Sequence, residues 1–231
     1  MCINGGAFIH FDNSPAAWAA SDAGAIRQVP AHQHLFFEGD ARTNLYVIES
    51  GWAKLYRTLV DGQRQVVGFC SAGSIIGIEG SGEHANGCET VTPIRVRIIP
   101  VKRLAEICAR DPQLAVQLIA QVGNQLGAAQ AQLTSVGAQS ADQKLASFLM
   151  AVAKVSDSQN GEFDLPMRRS EMAEFLGLRL ETVSRKMSDF QRRNWVKMIS
   201  MYRFRLVNRS ALECLAEGGD IDEAAGVLAA A

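Results

Sequence analysis

The chain has 231 residues, 48% of them apolar and 7% aromatic, with 23 basic against 24 acidic side chains and a net charge of -1. That is enough for ordinary cores and comfortable for two domains, as expected of a soluble globular protein. No apolar run approaches the length that spans a membrane, Met1 to Phe11 lacks a secretion signal, and five scattered cysteines suit reduced thiols better than a disulfide framework, so the expected compartment is the cytoplasm, with no membrane partner.

In the N-terminal part, glycines fall at Gly39, Gly51, Gly62, Gly73 and Gly77. Between them lie alternating or β-branched runs: Leu45 to Ile48, Lys54 to Thr58 and Gln65 to Phe69. Short strands at that spacing predict a β-roll or barrel. Asp61-Gly62 predicts a two-residue type I′ hairpin turn, which needs positive φ at both central positions. The last strand, Ile94 to Ile99, alternates apolar and basic until its final pair and stops at Pro100.

After an Asp111-Pro112 start, Ile119, Val122, Leu126, Ala129, Leu133 and Val136 recur at spacings of 3, 4, 3, 4 and 3. This is an a/d seam of more than two heptads, and it predicts a helix that pairs with a second copy of itself. Packing on the roll of its own chain is the competing use of the same stripe. Gly123, Gly127 and Gly137 weaken the helix by about 1 kcal/mol each relative to alanine. Ser140-Ala141-Asp142-Gln143 then opens another helix, Lys144 to Val155.

The C-terminal part carries the strongest signal. Met172, Ala173, Phe175 and Leu176 form an apolar face at helical period; Gly177 supplies a residue that tolerates a left-handed backbone; Leu180, Val183 and Met187 resume the period. That predicts helix, tight turn, helix. On the second helix Glu181, Ser184 and Arg185 stand at i, i+3 and i+4 and share one side, away from Val183 and Met187. Arg185 can grip guanine O6 and N7, Glu181 can accept from a cytosine amine, and Ser184 can bond or pack against a neighbouring base. The competing reading is a solvated face with an internal Glu181 to Arg185 pair.

Charge segregates in the same place. Between Leu165 and Ser210 eleven basic residues face four acidic ones, net +7, the patch that double-stranded DNA requires. Arg168, Arg169, Arg179, Lys186, Lys197, Arg203 and Arg205 are the candidates for phosphate contact. Trp195 to Leu206 alternates roughly apolar and basic, which predicts a small hairpin or wing whose Trp195, Tyr202 and Phe204 cover the helices. The last 21 residues hold five acidic and no basic side chains and should lie away from DNA. An enzyme would need a clustered nucleophile, base or metal set, and the scattered His and Cys offer none. A ligand-binding module signalling through protein contacts remains the alternative class, though it leaves the basic C-terminal part unexplained.

Together the segments Phe37-Glu38-Gly39-Asp40, Leu45 to Gly51, Gly73-Ser74-Ile75-Ile76-Gly77, the long helix and the helix-turn-helix with its wing make the chain resemble the Crp/Fnr family of bacterial transcription regulators over residues 28 to 215. The resemblance implies an α+β fold: a cyclic-nucleotide-binding-like β-roll (1–102), a long dimerisation helix (103–140) and a winged helix-turn-helix (141–231). The segment Leu180-Glu181-Thr182-Val183-Ser184-Arg185 is similar to the Fnr and FixK branch, which implies a homodimer on a TTGAT-N4-ATCAA-type palindrome and a role in oxygen or nitrogen metabolism. The Crp branch has arginine and glycine where this chain has Leu180 and Ser184. Asp61 to Phe69 resembles the family surface that touches RNA polymerase.

The resemblance also bears on control. Cyclic-AMP receptors carry Glu after the glycine matching Gly77 and an Arg-Ser or Arg-Thr for the phosphate; here Ile78 follows Gly77, with Glu79 one place later, and the second region reads Gly87-Cys88-Glu89-Thr90. An Fnr-type iron-sulfur cluster needs closely spaced cysteines, and Cys2, Cys70, Cys88, Cys108 and Cys214 stand 18 or more positions apart. No cofactor is therefore expected, and control by abundance is the first reading. Haem ligated by His10, His32, His34, His84 or a cysteine, and oxidation of Cys70, Cys88 or Cys108, are the alternatives. Finally, the family usually caps both helices of the motif with threonine where this chain has Arg168 and Arg179. Arginine has no acceptor for the free N–H groups, so both are expected to serve phosphates instead.

Overall fold

The computed structural model describes residues 9–10, 18, 24–78, 82–135, 139–155 and 161–219. They group into two compact units that part inside one long helix, at Gly127/Ala128.

The first unit is the expected roll. Its strands are β1 (Ile9–His10), β2 (Ala25–Val29), β3 (His34–Phe36), β4 (Asn44–Ser50), β5 (Ala53–Thr58), β6 (Arg64–Cys70), β7 (Ile75–Ile76), β8 (Gly87–Thr90) and β9 (Ile94–Pro100). They form one sheet in the order β1-β6-β5-β8-β3 and a second in the order β2-β9-β4-β7. The run Leu45-Tyr46-Val47-Ile48 is apolar at every position because β4 is covered on both faces. Tyr46 and Ile48 join Phe36, Leu55, Cys70, Cys88 and Val96 in one core. Leu45 and Val47 join Trp18, Ile75, Ile99, Ile107 and Leu114 in the other. The doubled Ile98-Ile99 that ends the alternation of β9 has the same cause: Ile99 belongs to the second core, while Ile98 packs on the first.

The turn after β5 differs from the expected type I′. Gly62 has φ +81°, but among the described residues only His32 and Asn194 outside glycine take positive φ, so Asp61 does not. The loop is longer: Leu59 N–H donates to Gln63 C=O (2.8 Å), Gly62 N–H donates to Leu59 C=O (2.9 Å), and the Asp61 carboxylate accepts from Gln63 N–H (3.0 Å). A five-residue loop of this kind needs one left-handed residue instead of two.

A 3-10 turn (Val101–Arg103) and α1 (Leu104–Arg110) lead into α2 (Pro112–Ser135), 24 residues long. Asp111 caps it by accepting from Gln113 N–H (3.0 Å). Of the six seam residues, Ile119 (72% exposed), Val122 and Leu126 are all exposed. The side chains of Ala129 and Leu133, and Val136 altogether, lie outside the described residues.

The second unit contains α3 (Ala141–Val155), β10 (Glu162–Asp164), α4 (Arg169–Leu176), α5 (Leu180–Arg192), β11 (Val196–Ser200), β12 (Arg203–Leu206) and α6 (Arg209–Glu217). Its strands pair antiparallel in the order β10-β12-β11, so the expected hairpin gains a third strand. Ser140 and Gln143 cap α3 reciprocally: Gln143 Oε1 accepts from Ser140 N–H (2.7 Å) and Ser140 Oγ from Gln143 N–H (3.3 Å). The core is built on α3, whose Leu145, Phe148, Leu149 and Val152 are fully enclosed. The Phe148 and Phe175 rings lie 5.6 Å apart, and those of Phe190 and Trp195 5.3 Å apart.

Candidate nucleic-acid interface

The helix-turn-helix forms where the apolar period places it. Met172, Ala173, Phe175, Val183, Met187 and Phe190 are buried. Gly177 ends α4 in the left-handed region (φ 63°, ψ 39°), and Leu178 N–H closes the turn on Ala173 C=O at 3.0 Å. Leu180 departs from the expectation: as the first residue of α5 it is 45% exposed, because the period reaches the core only at Val183. Glu181 and Arg185 are exposed and Ser184 half-buried, on the side of α5 away from Val183 and Met187. The three base-reading candidates thus occupy one accessible strip of a helix.

Arg168 and Arg179 are the N-caps of α4 and α5, both with extended backbone (ψ 153° and 147°) and neither with a side-chain cap bond. Glu171 supplies half of a capping box: its carboxylate accepts from Arg168 N–H at 2.8 Å. Arg168, Arg179 and Lys197 are exposed, as phosphate contact demands.

The other four backbone candidates are placed differently. Lys186 turns towards α3, where its ammonium donates to the Asp142 carboxylate at 2.5 Å. Arg169 points its guanidinium at Ser184 C=O (3.5 Å), bracing α4 against α5. Arg203 donates to Glu162 at 2.9 Å, and Arg205 donates to the other oxygen of the same carboxylate. These two hydrogen bonds, Arg205 first, hold the Glu162 carboxyl below its ordinary value. Spacing along one element could not reveal these partners, since Asp142 lies 44 positions from Lys186 and Glu162 41 from Arg203.

Of the aromatic residues expected to cover the helices, Trp195 and Phe204 are buried, whereas Tyr202 lies exposed at the hairpin tip. Arg193 instead sits over the Trp195 ring, 5.0 Å from its centroid.

In the roll, Glu89 lies on β8 within Gly87-Cys88-Glu89-Thr90. Its carboxylate lies 3.5 Å from Lys54 Nζ and 3.4 Å from Arg64 Nη1. Local cations are therefore already committed to a protein carboxylate. Glu79 lies outside the described residues. His84 is buried and stacked on Phe36 (centroids 3.7 Å apart), and that burial lowers its pKa. His34 Nδ1 shares a hydrogen bond with the Tyr56 hydroxyl at 3.2 Å. Among the described residues no group of three or more His, Cys, Asp or Glu is arranged to hold a metal ion. Cys70 and Cys88 are buried thiols outside any disulfide, and the half-buried Cys108 thiol is pushed up by burial and by Asp111. Raised thiols are poor nucleophiles at neutral pH.

Comparison with known proteins agrees with both units. Residues 26–111 match the cyclic nucleotide-binding domain and residues 143–215 the Crp-like helix-turn-helix domain. The chain is 33% identical over 190 residues to the nitrogen fixation regulation protein FixK of Azorhizobium caulinodans, covering 80% of this chain and 76% of that one. It is 30% identical over 190 residues to the fumarate and nitrate reduction regulatory protein of Escherichia coli, covering 80% and 75%. The structure of FixK2 from Bradyrhizobium japonicum superposes with a TM-score of 0.77 at 26% identity, covering 83% of this chain and 96% of that one. No described helix is long and apolar enough to cross a membrane. With a roll, a helix-turn-helix of the right geometry and regulators as relatives, the chain belongs to the Crp/Fnr family of DNA-binding transcription regulators as a FixK-like member, and it is not an enzyme.

Proposed function

We propose that this regulator acts in the cytoplasm as a homodimer that binds a TTGAT-N4-ATCAA-type palindrome and controls genes of oxygen or nitrogen metabolism. The observation that carries the reading is the single accessible strip of Glu181, Ser184 and Arg185 on α5. Those side chains in that order offer an acceptor, a small hydroxyl and a bidentate donor to successive base edges. Arg168, Arg179 and Lys197 hold the backbone around them, with Arg203 and Arg205 held in reserve on Glu162. The exposed Ile119, Val122 and Leu126 on α2 form the seam for a second copy. Two copies place two reading helices on the two half-sites, as the symmetry of a palindrome requires.

Activity follows the amount of protein and needs neither cyclic AMP nor an iron-sulfur cluster. Ile78 after Gly77, and Glu89 already tied to Lys54 and Arg64, support that reading. RNA polymerase meets Asp61 to Phe69, which run from the tip of the β5–β6 hairpin along β6.

The test is fluorescence anisotropy of a TTGAT-N4-ATCAA duplex titrated with protein purified in air and given no ligand, against a scrambled duplex at equal salt. Tight, specific binding is expected. Equal, weak binding to both duplexes would overturn the reading as it stands, either because the half-site is wrong or because a ligand, haem or a reduced thiol is required.

A further inference from the structure

The tip of the wing is built against phosphate contact. From Met198 to Tyr202 no residue is charged, and Met198, Ile199, Met201 and Tyr202 are all exposed, Met201 at 76%. The pairing of β11 with β12 slips between Met198 and Ser200. Ile199 is the extra residue of that bulge, and a bulge re-aims a side chain out of the ladder. Four large apolar side chains in five exposed positions call for a partner surface.

Backbone connections place that surface beside the reading helix. Tyr202 C=O accepts from Leu165 N–H at 2.7 Å. Arg168, three residues further along the chain, caps α4, and three extended residues reach at most about 10 Å. The adjoining Arg169 is in turn bonded to Ser184 C=O on the base-reading strip. These links tie the wing tip to the start of α4 and the start of α4 to the backbone of Ser184 on α5, and that proximity favours the molecule read by α5 as the partner of the tip. A charge-free tip cannot neutralise phosphates, while exposed Ile and Met are side chains that enter minor grooves as wedges between base steps.

We propose that Ile199 and Met201 form such a wedge, inserted into the minor groove just outside each half-site and unstacking a base step there. The role is distinct from the major-groove reading by α5, though it rests on that reading for its position. It makes the sequence flanking the half-site part of specificity, because pyrimidine–purine steps unstack most easily.

The test uses the full-length protein and cognate duplexes with 2-aminopurine placed singly at each step outside the half-site. Wild-type binding should raise the fluorescence at one flanking step. The variant I199S/M201S should abolish that rise and lose at least roughly tenfold in affinity, since the apolar burial of both side chains on binding is removed, while keeping the same salt slope because no charge has changed. Both positions are exposed at a hairpin tip, and an unchanged melting temperature checks the fold. A variant that binds as tightly as wild type, or a wild-type complex with no flanking rise, would overturn the wedge. Failure of the wild type to prefer the cognate duplex would instead be failure of the half-site reading.

Discussion

Lys186 on the reading helix donates to Asp142 in the first turn of α3 at 2.5 Å, with both side chains largely shielded from solvent. A cation on a DNA-binding helix is thereby spent on holding that helix against its scaffold. Replacing Asp142 with alanine should cost about 1 kcal/mol of stability, the upper end for partly exposed pairs, and Lys186→Ala should cost no more. In a double-mutant cycle followed by urea unfolding the two losses should fail to add. The salt slope of DNA binding separates the roles: loss of a phosphate contact lowers it by about 1, and Lys186→Ala should leave it unchanged.

Arg185 is exposed on the accessible strip of α5, and in the proposed complex its guanidinium would make the bidentate contact to a guanine. Arg185→Ala should lose about 1 to 3 kcal/mol on the cognate duplex and little on random DNA. Equal losses on the two duplexes, measured by anisotropy, would move Arg185 to the backbone set.

Arg168 and Arg179 occupy cap positions without a side-chain acceptor. Threonine at both should stabilise the free protein by about 0.5 to 2 kcal/mol per cap. It should also flatten the salt dependence of binding, since two phosphate partners are lost. A salt slope equal to that of the wild type would show that neither arginine reaches DNA.

Glu162 sits between Arg205 and Arg203, whose hydrogen bonds depress its pKa. A carboxyl with a folded pKa below its unfolded value adds stability that is present above the unfolded pKa, which lies near 4.5, and is lost as pH falls through the folded one. Glu162→Gln should accordingly lower the melting temperature at neutral pH, flatten the acid limb of the profile, and converge with the wild type once pH falls below the folded pKa. The same change frees both guanidinium groups, so the salt slope on DNA should steepen; no change in slope would mean that the wing arginines do not face phosphates.

The exposed face of α2 predicts self-association. Ile119→Asp places a charge in the middle of the seam and should shift sedimentation equilibrium towards monomer, with palindrome binding lost at concentrations where the wild type is saturated. A monomeric wild type would remove Ile119, Val122 and Leu126 from an interface.

Period and turn chemistry made most of the architecture readable along the chain. The alternation within β5 and β9, the left-handed Gly62 and Gly177, the Asp111-Pro112 helix start and the Met172 to Met187 helix pair are each set by neighbours a few positions away. Local signals of that kind survive in sequence because φ/ψ preference and amphipathic period act over one or two turns. At Asp61-Gly62 the length of the loop, not the dipeptide, selects the turn type, so the type I′ expectation does not hold there.

Sequence by itself determined the winged helix-turn-helix, the strip of Glu181, Ser184 and Arg185 and the basic character around it. Tertiary structure alone decided which of those cations are available. Lys186 finds Asp142, and Arg203 and Arg205 find Glu162, across separations of 41 to 44 residues. Only folding brings such groups within a few ångströms, and Coulomb attraction and hydrogen bonding at that range outweigh anything a charge count along the chain can register.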